Sequence, residues 1–139
     1  MNLLDANVWL AGIWDGHADH ATAATWRLSS EDRCAMCRVT QMAVLRHLTN
    51  AAIMGADALT RRDAWNTISR QLADPSVLWL DEPPGLEDAW RRLSSKGDRS
   101  HRLWTDDYLA ALAETTGARL VTFDLALRAR YSTVDVVVL

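Results

Sequence analysis

Several features that mark other protein classes are scarce in this chain, and each shortage excludes something. Its only cysteines are Cys34 and Cys37, so a four-cysteine zinc site cannot be built from this chain alone. No apolar run approaches the roughly 20 residues that a membrane-spanning helix needs. The N-terminus has Asp5 inside its apolar run and no preceding basic segment, unlike a signal peptide. We therefore expect a cytoplasmic protein with no membrane association.

Lysine is also scarce, because Lys96 is the single lysine and the other basic side chains are arginines. The net charge of -3 argues against a broad basic face that wraps a nucleic-acid duplex. A local cluster remains possible, since six basic side chains precede Asp106 closely: Arg91, Arg92, Lys96, Arg99, His101 and Arg102. This run is either a solvated loop or a rim that binds the phosphates of RNA.

Short apolar segments alternate with helical patterns along the whole chain, which predicts an α/β fold. We expect one domain over residues 1–139, with a central, mainly parallel sheet and helices on both sides. The predicted strands cover residues 2–4, 34–39, 77–80, 120–123 and 134–139. Thr40, Thr60 and Thr105 are the predicted N-caps of three of the helices. The two cysteines fall in the second strand, where they should point to opposite faces as ordinary buried thiols.

Aspartates follow two of the predicted strands and open one of the helices. Asp5 ends the first strand, Asp124 follows the fourth, and Asp106 and Asp107 begin the helix between them. In an open α/β sheet, ligands collect at the carboxyl ends of the strands. Carboxylates gathered there repel one another, and a hard divalent cation is the natural group to neutralise them. The pattern therefore indicates a metal-dependent enzyme that acts on phosphate.

The residues around these aspartates carry a family resemblance. The segment Leu3-Leu-Asp-Ala-Asn-Val-Trp-Leu-Ala resembles the opening of PIN-domain proteins. Thr105-Asp-Asp-Tyr-Leu-Ala-Ala-Leu-Ala is similar to their central acidic helix, and Leu120-Val-Thr-Phe-Asp to their late strand. The segment that begins at Thr40-Gln-Met-Ala-Val-Leu-Arg-His resembles one branch of the VapC-type toxins, as does His17-x-x-His20 with Trp26. The resemblance covers essentially the whole chain.

The resemblance implies a PIN fold and a metal-dependent endoribonuclease, the toxin of a type II toxin–antitoxin pair. It assigns Asp5, Asp106 and Asp124 as the catalytic residues, holding Mg²⁺ or Mn²⁺ for hydrolysis of RNA phosphodiester bonds. It also implies a cognate VapB-type antitoxin as partner, RNA as substrate, and a homodimer.

The chain departs from the family pattern at one position. The family usually has a second acid, a glutamate early in the third helix, and the residues available here are Gln41 and Ala43. Asp107 compensates only if its side chain turns toward the site, although adjacent helix positions point about 100° apart. The alternative is therefore a degenerate PIN module that binds RNA or protein without catalysis. A phosphoacceptor receiver domain is a weaker rival, because no lysine follows the last strand.

Three further features have both a structural and a functional interpretation. The seven tryptophans should lie mostly in the core, although some of Trp9, Trp14 and Trp65 could form a partner surface. His17 and His20 have a spacing compatible with metal binding, but packing is the commoner role for such a pair. Thr122 either hydrogen-bonds within the acidic cluster or is a plain strand threonine.

Overall fold

Five short parallel strands form the frame of the molecule. The computed structural model describes the whole chain, residues 1–139. The strands are β1 (Asn2–Leu4), β2 (Cys34–Met36), β3 (Val77–Trp79), β4 (Arg119–Thr122) and β5 (Val136–Val138). They are arranged in the order β3-β2-β1-β4-β5, and every pairing is parallel. The α/β prediction is thus confirmed, and the sheet is entirely parallel.

Helices occupy most of the connections between these strands. They are α1 (Ala6–Ile13), α2 (His20–Ser29), α3 (Arg38–Leu48), α4 (Ala51–Met54), α5 (Arg61–Leu72), α6 (Leu86–Ser94), α7 (Trp104–Thr116) and α8 (Leu125–Arg130). None of them is long and apolar enough to cross a membrane. The segment between α6 and α7 has no regular secondary structure, as its polar sequence predicts.

One of the three predicted N-caps is correct. Thr60 accepts a hydrogen bond from the backbone N–H of Asp63, at 3.1 Å, and so caps α5. Helix α3 instead begins at Arg38, so Thr40 lies inside it and contacts the Sγ of Cys37 at 3.3 Å. Helix α7 begins at Trp104, which places Thr105 in its first turn. In both cases the chain enters the helix earlier than the cap pattern predicts.

The sheet separates two apolar layers. On one face α6, α7 and α8 pack around Leu109, Leu112 and Leu120, and on the other α1, α3 and α5 pack around Trp9 and Met36. Cys34 and Cys37 are free and buried, and they belong to opposite layers, as predicted. The predicted strand over residues 34–39 is too long, however, because β2 ends at Met36 and Cys37 is the N-cap residue of α3.

Successive strands are added on one side of β1 as far as β3, and on its other side from β4 onward. β1 lies in the centre, with β2 on one side and β4 on the other, so the crevice between β1 and β4 is the topological switch point. The register pairs Leu4 with Val121, which places Asp5 next to Thr122 just beyond the strand ends. Ligands of open α/β sheets bind in this kind of crevice.

Candidate metal centre

A small hydrogen-bond network joins the ends of β1 and β4. Thr122, which is fully buried, donates its hydroxyl to Oδ2 of Asp5 at 2.9 Å. The same hydroxyl oxygen accepts from the Asn7 amide at 3.3 Å and from the backbone N–H of Asp124 at 3.0 Å. The other oxygen of Asp5 accepts from the N–H of Ala6 at 2.6 Å. These contacts fix the Asp5 carboxylate, and they confirm that Thr122 hydrogen-bonds within the acidic cluster.

Asp106 reaches this region from the first turn of α7. Its Oδ2 accepts a hydrogen bond from Arg130 of α8 at 3.2 Å, and the two side chains form an ion pair. Asp106 retains 27% of its side-chain exposure, so it is accessible from solvent. Helix α8 begins directly after Asp124, whose Oδ1 caps it by accepting from the N–H of Ala126 at 2.8 Å.

Neighbouring carboxylates contribute to raised pKa values at Asp5 and Asp106. Burial is the main cause that raises the pKa of Asp106 to about 6. Repulsion from Asp5 and Asp124 adds to this increase, whereas the positive charge of Arg130 opposes it. Burial also raises the pKa of Asp5, against the hydrogen bonds from Thr122 and Ala6, and Asp124 raises it further. A carboxylate that is costly to ionise next to other acids is stabilised by a cation.

The chemistry of the donors suits a hard divalent ion, with only part of a coordination shell in place. No group of three or more His, Cys, Asp and Glu side chains is arranged to hold a metal ion. Mg²⁺ needs only one or two protein carboxylates and keeps several waters. Asp5 and Asp106 supply partly accessible oxygens whose mutual repulsion a cation would relieve. The residues present therefore fit such an ion as an open site.

Helix α3 brings no acid to this region. The Oε1 of Gln41 accepts from Arg38 at 2.6 Å, and Arg38 also lies over the ring of Trp79. Gln41 is buried, and the hydrogen bond from Arg38 occupies its amide oxygen. The α3 side chain that interacts electrostatically with Asp5 is His47. Its pKa lies below the ordinary value, chiefly because the side chain is buried, and Asp5 partly opposes this decrease. Sequence reasoning missed His47, since nothing in the chain order relates the end of α3 to Asp5.

Asp107 points away from Asp5 and toward α8. It is buried, and its Oδ1 accepts a hydrogen bond from the hydroxyl of Tyr131 at 2.7 Å. Asp107 therefore does not replace the absent second acid. Arg130 is the other residue that sequence reasoning missed, because its contact with Asp106 depends on how α8 lies beside α7.

The basic run before α7 divides into two parts. Arg91 pairs with Glu87, and Arg92 pairs with Glu114, so both are engaged on the surface of α6. Lys96, Arg99 and His101 instead line a cavity of about 500 Å³, which Arg130 and Asp107 also border. The positive side chains of this cavity thus extend to the ion pair at Asp106.

The histidine pair and the tryptophans have mainly structural roles. His20 Nδ1 lies 2.7 Å from the carbonyl oxygen of Ala11, and His17 packs edge-on against Trp14. Most tryptophans belong to or pack against the core, as expected. Trp9 is fully buried, and the partly buried tryptophans that pack against the two core clusters are Trp14, Trp26, Trp79 and Trp90. Trp65 and Trp104 instead expose about half of their surfaces.

Comparison with known proteins decides the family. Residues 3–131 match the PIN domain. This chain belongs to the PIN-domain family. It is 38% identical over 132 residues to the ribonuclease VapC41 of Mycobacterium tuberculosis, covering 91% of this chain and 90% of that protein. It is 32% identical over 136 residues to ribonuclease VapC29 of the same organism, covering 98% and 95%. The PIN-domain chain is therefore related to the VapC ribonucleases along nearly its full length.

Two solved structures have the same fold. The crystal structure of VapC20 from M. tuberculosis, a toxin that cleaves the sarcin–ricin loop, aligns with a TM-score of 0.69 at 19% identity. That alignment covers 93% of this chain and 94% of VapC20. VapBC2 from Rickettsia felis, bound to a DNA fragment from its promoter, aligns with a TM-score of 0.67 at 14% identity, covering 98% and 96%. At these identities the comparison shows the PIN fold alone.

Proposed function

We propose that this PIN-domain protein is a divalent-metal-dependent endoribonuclease and the toxin of a toxin–antitoxin pair, acting as one domain over residues 1–139. The observation that carries the proposal is the position of Asp5 and Asp124 just after β1 and β4, at the switch point, where both carboxylates act electrostatically on Asp106. The relation to VapC41 and VapC29 supports RNA as the substrate.

The acidic residues and their hydrogen-bond partners would have different roles in phosphodiester hydrolysis. Asp5 and Asp106 would hold Mg²⁺ or Mn²⁺, and Asp124 would complete the shell or orient a water. When bound, the ion activates a water for attack and offsets the negative charge that develops on the phosphate. Thr122 keeps the Asp5 carboxylate in one orientation. Arg130 holds Asp106 and adds a positive charge beside the phosphate.

Cleavage of a labelled total-RNA pool tests this proposal. We expect cleavage with Mg²⁺ or Mn²⁺, none with chelator, and none by Asp5→Asn or Asp106→Asn. Asp88→Asn is the matched control, since Asp88 lies exposed in the first turn of α6, away from the cluster. Cleavage that survives chelator, or full activity in both active-site variants, would contradict the assignment.

The absence of a second acid on α3 keeps one other function in view. A degenerate PIN domain would bind RNA or a protein without cutting. Gln41 supports this alternative, because its amide oxygen accepts from Arg38 and is therefore not free to bind a metal ion. The same RNA experiment separates the two. RNA that is retained by the protein but never cut, with any metal, supports the binding module.

A toxin of this class needs an antitoxin. VapBC2 of R. felis, which shares the fold, supports a VapB-type partner. We expect the product of a short neighbouring reading frame to co-purify with this chain and to suppress cleavage. Analytical ultracentrifugation of the chain alone tests the expected homodimer, and a strictly monomeric species would contradict that part.

A further inference from the structure

A sizeable cavity lies beside the acidic cluster. Its volume is about 500 Å³, within the range of about 300–1,000 Å³ typical of sites for small organic groups. It lies between the segment after α6, the start of α7 and the end of α8, and Arg130 belongs both to its wall and to the ion pair with Asp106. A group bound in this cavity is thus a neighbour of the proposed reaction centre.

The wall of the cavity combines an aromatic ring with positive charge. Trp104 exposes 55% of its surface, while Trp90 packs against it edge-to-face with ring centroids 6.4 Å apart. The Nε1–H of Trp90 also donates to the backbone carbonyl of Trp104, at 3.3 Å. Lys96 and Arg99 form no ion pair in the structure, and Asp98 is the one exposed acid on the same wall. An exposed, braced indole beside free cations is suited to a base and its phosphate.

The inner end of the cavity carries a hydrogen-bond acceptor. Asp107 is 8% exposed, its Oδ1 accepts from Tyr131, and its Oδ2 has no partner within the protein. A carboxylate only accepts hydrogen bonds, so it requires donors from the ligand. Guanine presents two adjacent donors, N1–H and the N2 amino group, on its Watson–Crick edge. Adenine and cytosine present one amino group beside an acceptor, and uracil presents one N–H between two carbonyls.

We propose that this cavity binds one unpaired guanine of the RNA, next to the phosphodiester bond that is cut. The proposal rests on the proposed ribonuclease function and names the nucleotide it selects. Trp104 stacks on the base, Asp107 accepts from its Watson–Crick edge, and Lys96 and Arg99 contact the phosphates. Arg130 connects the occupied cavity to Asp106.

Binding without metal tests the cavity independently of cleavage. Labelled hexauridylates that carry one central guanosine, adenosine or cytidine are compared with unmodified hexauridylate, by fluorescence anisotropy in chelator. We expect the guanosine oligonucleotide to bind several-fold more tightly than the other three. Equal affinities for all four would overturn the proposal while the ribonuclease function stands. Guanosine selectivity in a protein that never cleaves would retain the cavity and reject the nuclease.

Two exposed tryptophans provide a matched pair of variants. Trp104→Ala should weaken binding of the guanosine oligonucleotide about tenfold, since stacking of a base on an aromatic ring is worth about that factor. Trp65→Ala removes a similarly exposed indole (49%) at a separate cavity between α3 and α5, and binding should not change. Trp104→Phe should retain most of the affinity. An equal effect of Trp104→Ala and Trp65→Ala would contradict the assignment.

The acceptor is tested by a second pair. Asp107→Asn keeps one acceptor oxygen for the Tyr131 hydroxyl and replaces the free oxygen by an NH₂ donor, so the preference for guanosine should fall to near one while uridine binding persists. Tyr131→Phe removes the internal hydrogen bond instead and leaves the carboxylate, and the preference should remain. Circular dichroism establishes that each variant is folded. Loss of preference in Tyr131→Phe, or its retention in a folded Asp107→Asn, would overturn the role of Asp107.

Discussion

Asp106 and Asp107 are adjacent on α7, yet they belong to two regions with different chemistry. Asp106 lies beside other acids and an arginine, and burial, with added repulsion from Asp5 and Asp124, raises its pKa to about 6. Asp107 faces a tyrosine hydroxyl at 2.7 Å, in a cavity with a basic rim. The first environment needs a cation, whereas the second needs only a hydrogen-bond donor. One step along a helix thus separates a proposed metal ligand from a proposed specificity residue.

The largest expected difference between the two aspartates is in catalysis. Asp106→Asn should lower the cleavage rate about a thousandfold, because metal-ion stabilisation is worth several kcal/mol and each 1.4 kcal/mol is tenfold in rate. Asp107→Asn should change cleavage of an RNA without guanosine by less than about tenfold. Initial rates at saturating RNA and fixed Mn²⁺ measure both. Equal losses in the two variants would mean that α7 carries one site rather than two.

A second difference is expected in metal-linked stability. A ligand that binds only the folded protein at a concentration 100 times its Kd stabilises it by about 2.7 kcal/mol. Mn²⁺ should therefore raise the Tm of the wild type and of Asp107→Asn, but not that of Asp106→Asn. Differential scanning fluorimetry in chelator and in Mn²⁺ measures this without any RNA. A Tm of Asp106→Asn that still rises with Mn²⁺ would remove Asp106 from the metal site.

Substitution of the hydrogen-bond partner of Asp5 and of the partner of Asp107 should also have different effects. Thr122→Val removes the hydroxyl that orients Asp5, and loss of such a supporting contact typically costs 10–100-fold in activity or metal affinity. Tyr131→Phe removes the partner of Asp107 and should cost about 1–2 kcal/mol in the free energy of unfolding, with cleavage retained. Thr122→Ser, which keeps the hydroxyl, should restore most activity. Urea denaturation and cleavage assays on all three variants provide the comparison.

The positions of Asp5 and Asp124 at the ends of two strands could be predicted because they follow from local rules. Asp5 and Asp124 come directly after short apolar strands, and strands that alternate with helices place such ends at one edge. The partners of the acids could not be predicted in this way. Arg130 meets Asp106 only because α8 lies against the start of α7, which is a matter of tertiary packing.

The orientation of Asp107 illustrates the same limit. The chain order indicates that Asp106 and Asp107 diverge, but not which of them faces Asp5. That depends on which face of α7 is buried, and Tyr108, Leu109 and Leu112 fix it by packing into the core beside α6. Tertiary packing also decides which basic residues before α7 are paired and which line the cavity, since Arg92 pairs with Glu114 on a neighbouring helix.

The smallest expected effect is a pH dependence of stability to which Asp106 contributes. The folded-state pKa of Asp106, about 6, lies above its ordinary value of 3.8, so the folded state binds more protons between these values. Its contribution therefore favours folding below about pH 4 and is lost as the pH rises through about 6. Because the side chain is partly exposed and paired with Arg130, we expect only about 1 kcal/mol. Urea denaturation in chelator at pH 4.5 and pH 7.5 should show the wild type losing this much more stability than Asp106→Asn as the pH rises. Groups shared by both proteins cancel in that difference, so an identical pH dependence would mean that ionised Asp106 is not strained by its neighbours.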